Sequence, residues 1–126
     1  MSGNADRRAL LDDLFAAIDK KNTQQMLARL SPDVAFRFGA APAVQRRAPV
    51  GEAVDGFFAS IAGLRHKLAK IYIDGDTVVC EGNVTYTRHD TSTITLPFAN
   101  VFEFDGDLIK GYRIYADIAP LYAVAS

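Results

Sequence analysis

Two Asp-Gly-Asp triplets, at 74–76 and 105–107, lie in the second half of this sequence between long runs of apolar and β-branched residues. A glycine in a short polar segment between such runs is a strong signal for a tight β-hairpin. Strands joined by tight hairpins pair antiparallel, so this half of the chain predicts a meander. The runs predict four strands, at 64–73, 77–88, 93–104 and 108–117.

Helical periodicity marks the first half of the chain. Apolar residues recur at i, i+3, i+4 and i+7 in 11–18 and again in 54–61, which places them on one face of a helix. Asn22, with a glutamine three residues later, resembles a capping box and predicts a second short helix between these two. The third helix is predicted to begin at Glu52 and to end at Gly63 as its C-terminal cap.

The segment between the second and third helices supplies one more strand. Residues 34–38 alternate and predict a short strand, whereas 39–51, rich in proline, glycine and alanine, predicts a long loop. The predicted order is α-α-β-α-β-β-β-β. Helices that are segregated from a meander indicate an α+β fold with an antiparallel sheet. A chain of 126 residues is typical of one domain, so we expect a single domain over 1–126.

Composition excludes several classes of partner. The net charge is −1, so no nucleic acid is expected, because there is no basic excess to bind its phosphates. No membrane association is expected either, because no apolar run approaches the roughly 18 residues of a membrane span. The first eight residues are polar and lack the apolar stretch of a signal peptide. Together with a single cysteine, Cys80, these features predict a cytoplasmic protein.

The histidines and the cysteine do not form a recognisable reactive group. His66 lies between Arg65 and Lys67, and His89 lies in a predicted turn. Neither has further ligands at suitable spacing, so no metal and no cofactor are predicted. Isolated histidines are usually surface or structural residues. Cys80 has no histidine beside it, so it is predicted to be a small buried hydrophobe rather than a nucleophile.

Strand parity predicts which face of the sheet is buried. The even-numbered residues of 93–104 and 108–117 form the more apolar face, but neither face is cleanly polar. Three helices can cover only one face. The remaining apolar side chains then predict a homodimer formed through the other face. The residues assigned to that face are Val84, Tyr86, Val101 and Tyr115.

Four stretches of the sequence, in this order and spacing, carry a family resemblance. They are LFAAID at 14–19, LSPDV at 30–34, EGNVTYTR at 81–88 and YRIYAD at 112–117. From about Leu10 to Leu121 the chain resembles SnoaL-like proteins of the nuclear transport factor 2-like superfamily. The resemblance implies a cystatin-like α+β cone, in which a curved antiparallel sheet wraps around N-terminal helices. It also implies an apolar cavity between sheet and helices, and a dimer formed through the convex face.

The resemblance also implies a set of ligand-contacting residues: Phe36, Phe38, Phe58, Asn83, Phe98, Asn100, Tyr112 and Ile114. Asn83, Asn100 and Tyr112 would be the polar groups of a mostly apolar site, as in many small-molecule pockets. The alternative is that these aromatic residues simply fill a core. Where related epoxide hydrolases and ketosteroid isomerases carry catalytic carboxylates, the matching positions here include Asn83, Asn100 and Phe38. Catalytic residues are therefore left unassigned.

Two functional hypotheses remain open. The first is a small-molecule-binding protein whose apolar cavity suits an isomerase, cyclase or hydratase acting on a polyketide-, steroid- or terpenoid-like compound. The second is a non-catalytic dimeric interaction or scaffold module with a filled core. An open cavity would favour the first hypothesis, and a packed interior with a large apolar outer face would favour the second.

Overall fold

The computed structural model describes residues 4–123, so the two ends of the predicted domain, 1–3 and 124–126, lie outside the described residues. The secondary structure follows the predicted order, with one extra short strand and one extra short helix. The elements are α1 (Asn4–Asp19), α2 (Thr23–Leu27), β1 (Leu30–Phe38), β2 (Val44–Gln45), α3 (Arg47–Ala59), β3 (Gly63–Asp74), β4 (Thr77–Thr87), β5 (Thr93–Asp105), β6 (Leu108–Tyr115) and α4 (Ala119–Tyr122).

The helices agree with the periodicity, except at the ends of α3. The predicted cap of α2 is present, since the side chain of Asn22 accepts a hydrogen bond from the Gln25 backbone N–H at 3.1 Å. Helix α3 begins within the predicted loop, because Pro49 lies in its first turn, where backbone N–H groups have no partner inside the helix. Its C-cap is Ser60, and the predicted cap Gly63 is instead the first residue of β3.

The sheet is mixed rather than wholly antiparallel. Its strand order is β2-β1-β6-β5-β4-β3, and β1 pairs parallel with β6 while all other neighbours are antiparallel. Strand β1 is longer than predicted, because it starts at Leu30 and passes through Pro32 in a stretch between two separate segments of pairing with β6. Proline lacks the N–H that a regular ladder needs, and it is tolerated there because that stretch is not paired with β6.

The four-stranded meander is close to the prediction. The two tight turns are made by Gly75 and Gly106, each with φ +61°, a backbone conformation that glycine adopts without strain. Register shifts interrupt the ladder between Leu68 and Lys70 in β3 and between Glu103 and Phe104 in β5. Such irregularities bend the strands that carry them. The sheet is accordingly curved and open, with the helices on one side.

The register between β4 and β5 decides which side chains face the helices. Val84 pairs with Leu96, so even-numbered residues of both strands share the inner face, which packs against the helices. Val84 is 1% exposed and Tyr86 is 3% exposed. Their assignment to the outer face was therefore wrong: they belong to the core. Val101 is half-buried and Tyr115 is exposed, and both lie on the outer face.

Charged side chains fix the helices to the sheet and to each other. Arg7 of α1 is buried, stacks on the ring of Phe104 at 4.2 Å and forms an ion pair with Asp76 in the β3–β4 turn at 2.7 Å. Lys21, between α1 and α2, donates to the carbonyl oxygens of Phe58 and Ile61. A cation at this position lies at the C-terminal end of α3 and complements the helix dipole. Within residues 4–123, no helix combines the length and apolar character needed to cross a membrane.

We expect opposite effects from the same substitution at two glycines. A Cβ at Gly82 in β4 would lie 2.1 Å from the backbone oxygen of Lys67, which belongs to the paired strand and cannot move aside freely. Gly82→Ala should lower the free energy of unfolding by about 1–3 kcal/mol. Gly56→Ala in α3 meets nothing within 4 Å and should raise it by about 0.5–1 kcal/mol. Urea unfolding of both variants measures these changes, and a tolerated Gly82→Ala would contradict the close approach.

Candidate functional site

A cavity of about 280 Å³ lies between the inner face of the sheet and helices α1, α2 and α3. Its wall is mostly apolar. Ala41 and Ala53 are exposed residues of this wall, so they mark the side on which the cavity meets solvent. Seven of the eight predicted ligand-contacting residues line it, namely Phe36, Phe38, Phe58, Phe98, Asn100, Tyr112 and Ile114.

The eighth predicted residue, Asn83, does not line this cavity. It is exposed on the outer face of β4, where it pairs with Pro97 of β5 and Lys67 of β3. Side chains alternate between the two faces of a strand, so a residue between the inward positions Gly82 and Val84 points outward. Because Val84 faces inward, Asn83 faces outward, and its assignment to the site was wrong.

Asn100 is the buried polar side chain of the cavity wall. It is 2% exposed, and among the described residues its Oδ1 has no hydrogen-bond partner. An unsatisfied buried polar group costs about 1–3 kcal/mol. The pairing of Asn100 with Cys80 on one side and Ile114 on the other fixes its side chain on the inner face. The wall therefore presents one amide oxygen that can accept a hydrogen bond from a donor inside the cavity.

Tyr112 provides a second polar group. It is 1% exposed, and its ring packs edge-on to Phe36 at 5.2 Å and against Phe102 at 4.6 Å. Burial raises the pKa of the Tyr112 hydroxyl far above its ordinary value, and the neighbouring Cys80, Tyr86 and Asp19 raise it further. The hydroxyl therefore stays protonated and can donate a hydrogen bond into the cavity at any physiological pH.

His66 also lines the cavity, although it was predicted to be a surface or structural residue. Its ring nitrogen Nδ1 lies 2.6 Å from Oδ1 of Asp19, and its backbone N–H donates to Oδ2 of the same carboxylate at 3.0 Å. The ring packs between Phe15 at 4.8 Å and Phe98 at 5.2 Å. His66 is thus the one imidazole on the described wall of the cavity.

One signal in the sequence could have located His66. It has the same parity as Leu64 and Leu68, the more buried positions of β3, whereas Arg65 and Lys67 are exposed. The charges of Arg65 and Lys67 suggested that His66 is exposed as well, which hid this alternation. Asp19 could not have been assigned, because it is 47 residues away and follows a helix whose packing direction the pattern does not define.

Other reactive groups do not add to the site. Cys80 is fully buried, and burial raises the pKa of its thiol to about 12, so the nucleophilic thiolate is scarce near neutrality. Glu81 is exposed on the outer face and accepts a hydrogen bond from Tyr72. Within the part of the chain that the structure describes, no three His, Cys, Asp or Glu side chains are grouped so as to hold a metal ion.

Solved structures show the same fold at low sequence identity. An NTF2-like protein of unknown function from Burkholderia pseudomallei K96243 is 19% identical, covers 96% of this chain and 95% of its own, and has a TM-score of 0.83. TerC co-crystallised with polyporic acid is 17% identical over 93% and 95%, with a TM-score of 0.81. A putative SnoaL-like polyketide cyclase from Jannaschia sp. CCS1 is 13% identical over 96% and 93%, with a TM-score of 0.82.

These neighbours have the NTF2-like α+β fold, which confirms both the α+β class predicted from the order of helices and strands and the fold that the resemblance implied. The family model described as a SnoaL-like domain matches residues 11–112, and the chain belongs to this family. No curated protein matches the chain. Members that share this fold differ in activity, so the function must be argued from the cavity itself.

The orphan amide of Asn100 predicts a gain in stability when it is removed. Asn100→Leu replaces an unpartnered polar group by an apolar one of similar size, so the free energy of unfolding should rise by about 1–3 kcal/mol. Asn83→Leu is the matched control, because it makes the same change on the outer face, where it should have little effect. Urea unfolding measures both, and a less stable Asn100→Leu protein would show that the amide is already satisfied.

Proposed function

We propose that this protein binds a small apolar molecule in the cavity between sheet and helices. The observation that carries the proposal is an apolar chamber of about 280 Å³ whose described wall has few polar groups, among them Asn100, Tyr112 and His66. Small-molecule sites usually have this character, with a few polar atoms that fix orientation. An apolar protein cavity of about 150 Å³ accepts benzene, so this volume suits a ligand of about two fused rings.

The same cavity supports an isomerase, cyclase or hydratase reaction on a polyketide-, steroid- or terpenoid-like compound. Such reactions move protons on a carbon skeleton and need polar groups aimed at one or two atoms of an apolar substrate. The hydroxyl of Tyr112 provides a donor of this kind, and the unpartnered Oδ1 of Asn100 provides an acceptor. The similar folds of a putative polyketide cyclase and of TerC, which was crystallised with polyporic acid, support ring-containing ligands.

The scaffold alternative requires a filled interior, which the cavity does not favour, but assembly through the outer face is compatible with ligand binding. Val79, Ala99 and Val101 are half-buried on that face, and Tyr115 is exposed beside them. We propose that this patch joins two copies of the chain, and that the protein acts in the cytoplasm.

A plug at the mouth of the cavity should block binding. Ala53 is an exposed wall residue of α3, so Ala53→Trp puts a large ring at the opening without disturbing the core. It should weaken the binding of naphthalene by about tenfold or more, equivalent to 1.4 kcal/mol. Ala48→Trp, on the same helix but away from the wall, should bind like the parent protein. Naphthalene fluorescence titration measures all three, and a parent protein that does not bind naphthalene would refute the proposed function.

A charge on the outer face should separate the two copies. Val101→Arg places a cation in the centre of the proposed contact, whereas Gln24→Arg adds the same charge on exposed α2. Native mass spectrometry should show a dimer for the parent and for Gln24→Arg, and a monomer for Val101→Arg. It also detects any small molecule that co-purifies. A parent protein that is monomeric at all concentrations would contradict the proposed assembly.

A further inference from the structure

Asp19 and His66 make two hydrogen bonds, and only one of them is needed to link the helix to the sheet. Strand β3 is at the edge of the sheet, so a backbone N–H on its free side needs a partner other than a strand. Oδ2 of Asp19 accepts from the His66 N–H and meets that need. The second oxygen, Oδ1, is directed to the imidazole Nδ1 at 2.6 Å, which a role at the strand edge does not explain.

Asp19 also occupies a position where a carboxylate needs compensation. It is the last residue of α1, and the C-terminal end of a helix disfavours negative charge. A proton donor that faces the carboxylate offsets this cost, and the imidazole N–H is such a donor. The side chains of Asp19 and His66 are 25% and 11% exposed, so solvent screens their contact only in part.

This contact defines the proton arrangement of the neutral imidazole. A carboxylate accepts hydrogen bonds, so Nδ1 carries the proton and Nε2 keeps its lone pair. Among the described residues Nε2 has no hydrogen-bond partner, and the ring that bears it lines the cavity. Phe15 and Phe98 hold the ring from two sides. The ring that carries this basic nitrogen therefore lines an apolar chamber, and Asp19 fixes its orientation.

We propose that His66 is the general base of the cavity, that Asp19 is its positioning residue, and that the substrate class is a two-ring ketone with an acidic C–H beside its carbonyl. This deepens the proposed function and rests on it. Nε2 removes the proton as the C–H bond breaks, and the electron pair moves to the carbonyl oxygen to give an enol or enolate. The proton on Nε2 exchanges with solvent water, and a proton from Nε2 then returns to carbon, so no cofactor or second reactant is needed.

The other polar groups of the wall fit the oxygen end of such a substrate. Negative charge develops on the carbonyl oxygen as the proton leaves, and fixed hydrogen-bond donors stabilise it strongly where water is excluded. The protonated hydroxyl of Tyr112 is such a donor and lies on the same wall as His66. Lys, Arg, Asp and Glu are absent from the described wall, so His66 is its one side chain suited to take the proton.

Exchange of carbon-bound hydrogen tests this step without knowledge of the natural substrate. The probe is 2-tetralone, a two-ring ketone with acidic hydrogens between its aromatic ring and its carbonyl. In D₂O, the parent protein should accelerate loss of their NMR signal beyond the rate in buffer alone. His66→Gln should lower the protein-dependent rate by about 10²-fold or more. His89→Gln is the matched control, because His89 contacts the Ala59 carbonyl outside the cavity wall and should exchange like the parent.

Binding and exchange together separate the two proposals. If naphthalene and 2-tetralone bind but exchange is not accelerated, or is the same in His66→Gln, the general base is refuted while ligand binding stands. If naphthalene binds and 2-tetralone does not, the substrate class is refuted. If neither binds, the proposed function fails and this inference fails with it. Asp19→Asn should slow exchange and leave the dissociation constant of naphthalene unchanged, which a purely structural role would not produce.

A second measurement avoids any folding defect of His66→Gln. The chain has two histidines, so His89→Gln leaves His66 as the only imidazole. Its C2–H NMR signal should shift when 2-tetralone is added. Carbethoxylation of this single histidine by diethyl pyrocarbonate should abolish exchange, and bound naphthalene should slow the modification. A signal that does not respond to 2-tetralone, or a modified protein that still exchanges hydrogen, would overturn the assignment.

Discussion

The antiparallel register of β4 against β5 is the constraint on which the rest of the structure depends. Side chains alternate between faces, so a shift of one residue would move every inward group of a strand to the outside. The observed pairing of Val84 with Leu96 and of Cys80 with Asn100 gathers the aromatic residues of β5 on the helical side. The curvature of the sheet then leaves a chamber where a flatter sheet would pack closely against the helices.

Local patterns predicted most of the fold, because hairpin glycines and helical periodicity act over a few residues. Gly75 and Gly106 form the expected turns, and Asn22 caps α2. Long-range features escaped prediction. The parallel pairing of β1 with β6 and the short strand β2 depend on where distant segments meet. The predicted start of α3 was also wrong, because Pro49 suggests a loop unless its place in the first turn of the helix is known.

The residues proposed for the site came from the family resemblance, and the structure shows which of them line the cavity. Seven of the residues that the family resemblance implied line the cavity, whereas Asn83 lies on the outer face of β4, between the inward positions Gly82 and Val84. His66 was overlooked for a related reason: its charged neighbours are exposed, and alternation rather than neighbourhood sets its direction. Its partner Asp19 comes from another layer of the fold and could be found only in three dimensions.

Because few ionised groups surround the chamber, it selects against ligands that carry a charge. Its described wall includes no Lys, Arg, Asp or Glu side chain. A phosphate, carboxylate or ammonium group entering it would lose its hydration shell without a counter-charge, at a cost of several kcal/mol. An uncharged compound of the same shape would incur no such cost. Selectivity would then come from the hydration that a charged group loses on entry, so charged metabolites are excluded regardless of their shape.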